Sequence, residues 1–339
     1  MRRAAGPARP ASRGAALLTA LVIVSVVATI AAGMVWQQWR AVQVETAERA
    51  RTQSAWILAG ALDWARLILR EDGRPSMQRI DHLGEPWAVP LAESRLSSFL
   101  AAEAEVTEDA PDAFLSGSIT DATSKLNLFN LVDVGRVPNA AWIEALQRLC
   151  NTVGVSADVA TRIASGLLAA APPATGASAA SAASTPVVAP MDGEPPLAPQ
   201  TVEQLAWLGI EPEAIRALEP YVTLLPAKSL VNANTASREV LAAAIPNLDV
   251  ATAERLVQVR QRTPFDKAAL QNQLGAQFEK SLDLVDVQSS WFEIRGRLRL
   301  DAVVLEQKSL VERVNTTVRV VRRERVSSRD AGLGQTGEK

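Results

Sequence analysis

One stretch near the start of the chain limits what the rest can become. It carries no charged residue from Ala15 to Trp39 and no proline between Pro10 and Pro75. An apolar run of about 18 residues or more is long enough to cross a hydrocarbon core of roughly 30 Å as a helix. A helix is also the only single-segment way to satisfy every backbone polar group there. Past the apolar run, Ala47, Ala50, Ser54, Ile57, Ala61, Trp64 and Ile68 recur at alternating spacings of three and four, which puts them on one stripe of a continuing helix. From Ala15 to Glu71 that helix would be roughly 85 Å long. The pattern predicts a membrane segment over residues 15–39 and a spine helix over 40–71, on which a head domain packs.

Four arginines and no acid precede the run: Arg2, Arg3, Arg9 and Arg13. By the positive-inside rule the N-terminus stays cytoplasmic and the bulk of the chain is periplasmic or extracellular. A cleaved secretory signal has a shorter apolar core than this one, and a plain single-pass anchor is the other bland reading. The stretch R-G-A-A-L-L-T-A-L-V-I-V, Arg13 to Val24, resembles the start of type IV pilin-like proteins. The resemblance implies that residues 1–14 are a leader removed between Gly14 and Ala15 by a prepilin peptidase, and that Ala15 is the methylated new N-terminus. In such proteins the fifth mature residue is usually Glu; here it is Thr19.

Composition narrows the function classes. The formal charge of −2 gives no global pull toward nucleic acid or anionic lipid. The single cysteine, Cys150, has no partner for an intramolecular disulfide, and its helical spacing from Trp142, Leu146 and Leu149 marks it as a core residue. One histidine, His82, reads as a surface residue, and with one distant cysteine it cannot form a zinc site of the usual kind or a Cys-His pair. No nucleophile elbow, phosphate loop or dinucleotide fingerprint occurs, so the sequence gives no support for an enzyme.

Two later segments sharpen the reading. The first, D-H-L-G-E-P-W-A-V-P-L-A over Asp81 to Ala92, has too much proline for a regular element and too much apolar mass for a free linker, so it is expected to pack across the spine. The second, from Phe114 to Leu131, alternates well enough to predict two short strands around a turn at Asp121 to Ser124. Together, D-x-L-x-E-x-W-A-x-P-L followed by G-x-I-x-D-x-x-x-x-x-N-L-x-N-L resembles the K-type minor pseudopilins of the bacterial type II secretion system. That resemblance implies a pilin-like fold, calcium as a family ligand with no residues assigned, and a place in the inner membrane. As partners it implies the I-type and J-type minor pseudopilins, the major pseudopilin and the inner-membrane secretion platform.

The middle of the chain is helical. Residues 139–150 and Ser156 to about Leu168 form amphipathic helices, the first with Asn139 as N-cap. Residues 169–199 are Ala, Pro, Ser, Thr and Gly almost throughout, a linker that cannot bury a core. It offers only Asp192 and Glu194, and two carboxylates serve poorly a cation that wants six to eight oxygens. The segment 200–287 contains a pair, Ser237 to Ile245 and Val250 to Arg262, that resembles a helix-hairpin-helix or SAM-like unit. Its hairpin, Pro246 to Asp249, lacks glycine and puts a carboxylate where a phosphate would approach, and Thr201 to Val287 carries 11 acids against 8 bases. The sign is wrong for nucleic acid, which leaves a scaffold or protein contact.

The C-terminal segment returns to strand. Phe292, Ile294, Leu298 and Leu300 alternate with Glu293, Arg295, Arg297 and Arg299, a half-buried antiparallel strand. Ser309 to Val314 and Thr317 to Arg325 follow as a hairpin around Asn315-Thr316. The expected class is α+β: a long N-terminal membrane-spanning helix packed on an antiparallel sheet formed by residues 72–131 and 288–326, an all-helical block over 132–287 inserted between its strands, and a tail over 327–339. The expected function is a pseudopilus tip subunit that initiates or caps assembly during protein export across the outer membrane. The rival is a single-pass receptor whose periplasmic helical domain binds a ligand or nucleic acid.

Overall fold

The computed structural model of the protein describes residues 13–74, 79–96, 113–133, 135–170, 196–275, 278, 281–300 and 303–326. Most of the leader, the centre of the linker with Asp192 and Glu194, and the tail lie outside these. The chain divides into two compact units, Met1–Ile57 and Leu58–Lys339. The described residues of the first form a single helical rod, the N-terminal part of α1 (Arg13–Asp72). Among the described residues α1 is the one helix long and apolar enough to cross a membrane. Its large apolar side chains from Leu17 to Val44 are all exposed, so the rod has no protein core of its own and needs lipid or neighbouring helices to cover it.

The second unit begins with the C-terminal turns of α1 and carries a five-stranded antiparallel sheet: β1 (Leu91–Arg95), β2 (Ala113–Asp121), β3 (Trp291–Leu300), β4 (Val303–Val314) and β5 (Thr317–Val326). Spatial order follows chain order. The helical block is therefore an insertion between the adjacent strands β2 and β3, which pair from Ala113↔Leu300 to Asp121↔Phe292. The expected β4–β5 hairpin forms around Asn315, whose φ of 54° supplies the left-handed turn residue.

The helix seats on the sheet through Leu58, Leu62, Ala65 and Leu69, which are buried with Trp87, Ile119, Phe292, Ile294 and Val311. This corrects the predicted stripe. Of its members only Ser54 is buried; Ala50, Ile57, Ala61 and Ile68 are half-buried, Ala47 is exposed and Trp64 is 53% exposed. Residues 55–69 are apolar almost throughout, so two stripes satisfy the helical period and only fit to the sheet chooses between them. Two glycines shape that fit. Gly117 and Gly296 face each other across β2 and β3, and a Cβ on Gly296 would come within 3.3 Å of Leu58 Cδ2. Ala61, Trp64 and Ile68 line an open apolar groove of about 250 Å³ with Val89, Pro90 and Leu91.

The segment over Asp81 to Ala92 packs on α1 as expected: Trp87 is buried, its ring edge-on to Phe292 at 5.2 Å between centroids. The predicted strand pair around Asp121 to Ser124 does not form. β2 runs straight to Asp121, a 3₁₀ turn over Ala122–Ser124 follows, and Leu126–Asn127 pairs in parallel with Val222–Thr223 instead. The cause is Asp121 itself, whose buried carboxylate caps the turn and redirects the chain into the helical block.

The block comprises α2 (Ala140–Thr152), α3 (Asp158–Ala170), α4 (Pro212–Leu218), α5 (Arg238–Ala244), α6 (Val250–Arg262) and α7 (Lys267–Leu274). Asn139, Ser237, Asp249 and Asp266 cap helices with their side chains. Its core is separate from that under α1 and includes Trp142, Leu146, Leu149, Ile163, Leu205 and Leu241. Cys150 belongs to it, fully buried, its thiol pushed up to about 11 by burial. Where β3 meets the block, alternation fails: Trp291 is buried with Ala122, Leu225 and Leu310 on one face while Phe292 is buried against α1 on the other.

The seating face yields a direct comparison. Leu62→Ala should cost about 2–5 kcal/mol as a core cavity, whereas Trp64→Ala should cost below about 1 kcal/mol as a largely exposed truncation. Denaturant unfolding of the detergent-solubilised chain reads both.

Candidate functional site

The residues that join helix, sheet and block form one buried polar cluster, and it is built around an arginine on the wrong side of a strand. Alternation along β4 turns Val311 and Arg313 to the face that meets α1. A guanidinium there must find anions or remain unpaired in a core. The Arg313 side chain is fully buried. It pairs through Nη1 with Asp72 at the end of α1 and through Nη2 with Asp81, donates to the Ser289 carbonyl at 3.1 Å, and stacks 4.6 Å from the Phe292 ring centroid. A charge-assisted fork of this kind fixes geometry as well as energy.

The end of α1 is trimmed to allow this. Gly73 N donates to Leu69 O at 3.0 Å, and a Cβ on Gly73 would lie 2.5 Å from Asn315 O, so a side chain at this position would collide with the β4–β5 turn. About two turns earlier, Arg66 donates from Nε and Nη2 to Val318 O at 3.1 and 2.8 Å. The helix is thus tied to the last two strands at two levels.

Ser289 links this cluster to the helical block. Its N–H donates to Asp81 Oδ2 at 2.7 Å and its hydroxyl donates to Asp121 Oδ2. Asp121 also accepts from Thr235 Oγ1 (2.6 Å), Asn232 Nδ2 (3.0 Å) and both N–H and hydroxyl of Thr123 (2.7 Å each). Complete burial raises the Asp121 pKa, and these donors oppose the rise. Asn232 Nδ2 further donates to the Asp81 carbonyl at 3.0 Å, and its Oδ1 accepts from Asn234 N at 2.9 Å. Asn127 and Asn130 repeat the device at residues 225–229: Asn127 accepts from Leu225 N at 3.1 Å, and Asn130 exchanges two hydrogen bonds with the Ser229 backbone at 2.6 and 3.2 Å.

The motif residues that carried the resemblance therefore act as internal fasteners. Asp81 and Trp87 of the first motif and Asp121, Asn127 and Asn130 of the second join segments of the head, while Glu85 braces its own segment through His82 N and Trp87 Nε1. Sequence reasoning missed Arg313, Asp72, Asn232 and Ser289. Arg313 had a readable signal, a charge at an inward-facing position of an alternating strand. His82 is half-buried rather than a free surface residue; Nδ1 accepts from Gly84 N at 3.1 Å and burial lowers its pKa.

Among the described residues one group of acids has metal-like spacing: Asp72, Asp81 and Glu85, with ligand oxygens within 4.8 Å of one another. It does not fit the calcium that the family resemblance implies. Arg313 is bound to both aspartates and supplies the positive charge a cation would bring. Of the remaining predicted sites, Gly14, Ala15 and Thr19 lie together in the first turns of α1, remote in sequence from this cluster.

Removing the guanidinium tests the cluster. Arg313→Ala should destabilise the head by about 3–5 kcal/mol, because it strands the buried Asp81 carboxylate and the half-buried Asp72 beside it; thermal unfolding of the solubilised chain measures it. Asp81→Asn should cost less, since it keeps the shape and loses one charge.

Comparison with known proteins gives the arrangement its context. A family model described as type II secretion system (T2SS), protein K, matches residues 124–227, and a second of the same description matches residues 231–288. The type II secretion system protein K of Pseudomonas aeruginosa is 30% identical over 266 residues, covering 76% of this chain and 75% of the relative. That of Pectobacterium carotovorum subsp. carotovorum is 26% identical over 336 residues, covering 93% and 97%. A chain in the crystal structure of the GspK-GspI-GspJ complex from the enterotoxigenic Escherichia coli type 2 secretion system shares the fold, with a TM-score of 0.58, 18% identity and coverage of 83% of this chain and 99% of that one. With a membrane-length helix leading into an antiparallel sheet interrupted by a helical block, this chain belongs to the type II secretion system protein K family, the K-type minor pseudopilins of protein secretion.

Proposed function

We propose that this subunit sits at the tip of the type II secretion pseudopilus, where it starts or caps assembly. The observation that carries the reading is the pairing of an exposed apolar rod with a head enlarged by an inserted block. The rod, residues 15–39, is the inner-membrane anchor, with the N-terminus cytoplasmic and the head periplasmic, as the arginine-rich start favours. Trp36 and Trp39 stand at its far end, ring centroids 5.4 Å apart and both exposed, a suitable anchor for the outer headgroup layer.

In this reading a prepilin peptidase cuts between Gly14 and Ala15, and Ala15 is methylated. Thr19 offers no carboxylate to neutralise the ammonium of a subunit ahead, a charge that is expensive to leave unpaired in a bilayer or filament core. A subunit with none ahead has no such debt. The solved relative is crystallised with GspI and GspJ, and we assign the I-type and J-type minor pseudopilins as partners here, with the major pseudopilin and the secretion platform beyond them. The spine stripe, used only in part by the sheet, presents Trp64 and the groove beside it toward such a neighbour. The α5–α6 pair, turned by Asn247 at a φ of 63°, serves as a helix-hairpin-helix-like scaffold for the block rather than a nucleic-acid reader. The chain acts by assembly and not by catalysis. Family membership disfavours the receptor alternative.

Expression with a prepilin peptidase followed by peptide mass mapping decides between the readings. The pseudopilin predicts a terminal peptide beginning at Ala15 and carrying a methyl group; an intact start at Met1 or Arg2 supports the receptor. For the tip position, Thr19→Glu should let the subunit enter filament bodies or disturb initiation, and unchanged initiation and placement would refute the charge argument.

A further inference from the structure

The carboxylate group at the end of α1 is one negative charge out of balance. Two guanidiniums face it: Arg313 from β4, bound to Asp72 and Asp81, and Arg79 from the segment after α1, with Nε 4.0 Å from Asp81 Oδ2. Two cations match two aspartates. Glu85, the third carboxylate, forms no ion pair among the described residues and lies with its oxygen inside the same 4.8 Å group. Its partners are two neutral donors in its own segment, His82 N at 3.0 Å and the fully buried Trp87 Nε1 at 2.6 Å, both on Oε2. With Oε2 engaged by donors, Oε1 is the oxygen left to take a proton, and a proton there brings the group to neutrality.

We infer that Glu85 is a proton-operated latch: protonated, it lets the Asp72–Asp81–Arg313 cluster and Trp87 hold the end of α1 to the head, and ionised, it loosens that hold. The charged groups around it are Asp72 from α1, Arg313 from β4, and Arg79 and Asp81 from its own segment, which also carries the titratable His82, whose pKa burial lowers. Burial first, then the neighbouring Asp72 and Asp81, push the Glu85 carboxyl up to about 7, against the pull of its two donors. The sign follows from the raised value. The folded chain keeps a proton that the unfolded chain releases near the ordinary carboxylate range. Stability is therefore fully present below that range and falls as pH rises through about 7. The grip of the head on its anchor helix thus depends on the pH of the compartment that bathes it. This holds wherever in a filament the subunit stands.

Hydrogen exchange of the detergent-solubilised full chain, corrected for intrinsic rates, reads the latch in peptides covering residues 69–74 and 79–91. Wild type should lose on the order of tenfold protection between about pH 6 and about pH 8.5, while peptides in α2 and α3 stay constant. Glu85→Gln, neutral at every pH, should hold the low-pH protection throughout. Trp87→Phe removes a donor that favours the ionised form and should move the wild-type midpoint to higher pH. Flat protection in wild type, the same pH dependence in Glu85→Gln, or a midpoint that stays or falls in Trp87→Phe would each overturn the latch.

Discussion

A single buried guanidinium fixes how this molecule is put together. Arg313 bridges the last residue of the long helix, the Asp81 segment and the Ser289 carbonyl, while its ring partner Phe292 sits in the sheet. Burying three charged side chains costs several kcal/mol per ion before pairing offsets it, so an apolar core would have been the easier way to gain stability. What the ionic arrangement adds is direction. An apolar stripe with two alternative faces, as on α1 between residues 55 and 69, can slide or rotate. A guanidinium fork aimed at Asp72 permits one rotation of the helix about its axis.

Ser289 extends that control into the helical block. Its carbonyl serves Arg313, its N–H serves Asp81 and its hydroxyl serves Asp121, the residue at which the chain leaves the sheet. Asp121 in turn gathers Asn232 and Thr235 from within the block. The point where the insertion departs and the point where it comes back are thereby bonded to each other and to the anchor helix. A large insertion between adjacent strands is tolerable on those terms, because its ends are held together at the ends of two paired interior strands instead of relying on a long flexible closure.

Much of this was legible in the sequence, for physical reasons that can be named. The membrane rod is an uncharged run whose length leaves little choice. The alternation of β3 and the hairpin around Asn315 follow from period and turn chemistry, and Cys150 lay in its core as its helical neighbours indicated. Local patterns could not select the seating face of α1, because Leu58, Leu62, Ala65 and Leu69 share the period of the stripe that was chosen. They also misread Asp121 to Ser124 as a hairpin turn, since the Asp121 carboxylate that caps the turn is held in place by Thr235 and Ser289, more than 100 residues away. Arg313 was visible as an anomaly; its partners were not, because ion pairs across 232 and 241 positions leave no local trace.

The account stands on the claim that helix end and helical block are coupled through one node at Ser289. The most direct measurement is a double-mutant cycle on unfolding free energy between Arg313→Met and Thr235→Val, residues that share no bond and meet only through the Asp81–Ser289–Asp121 chain. The node predicts a coupling of at least about 1 kcal/mol. Strict additivity, within about 0.3 kcal/mol, would mean that helix and block are fastened independently and would contradict the account.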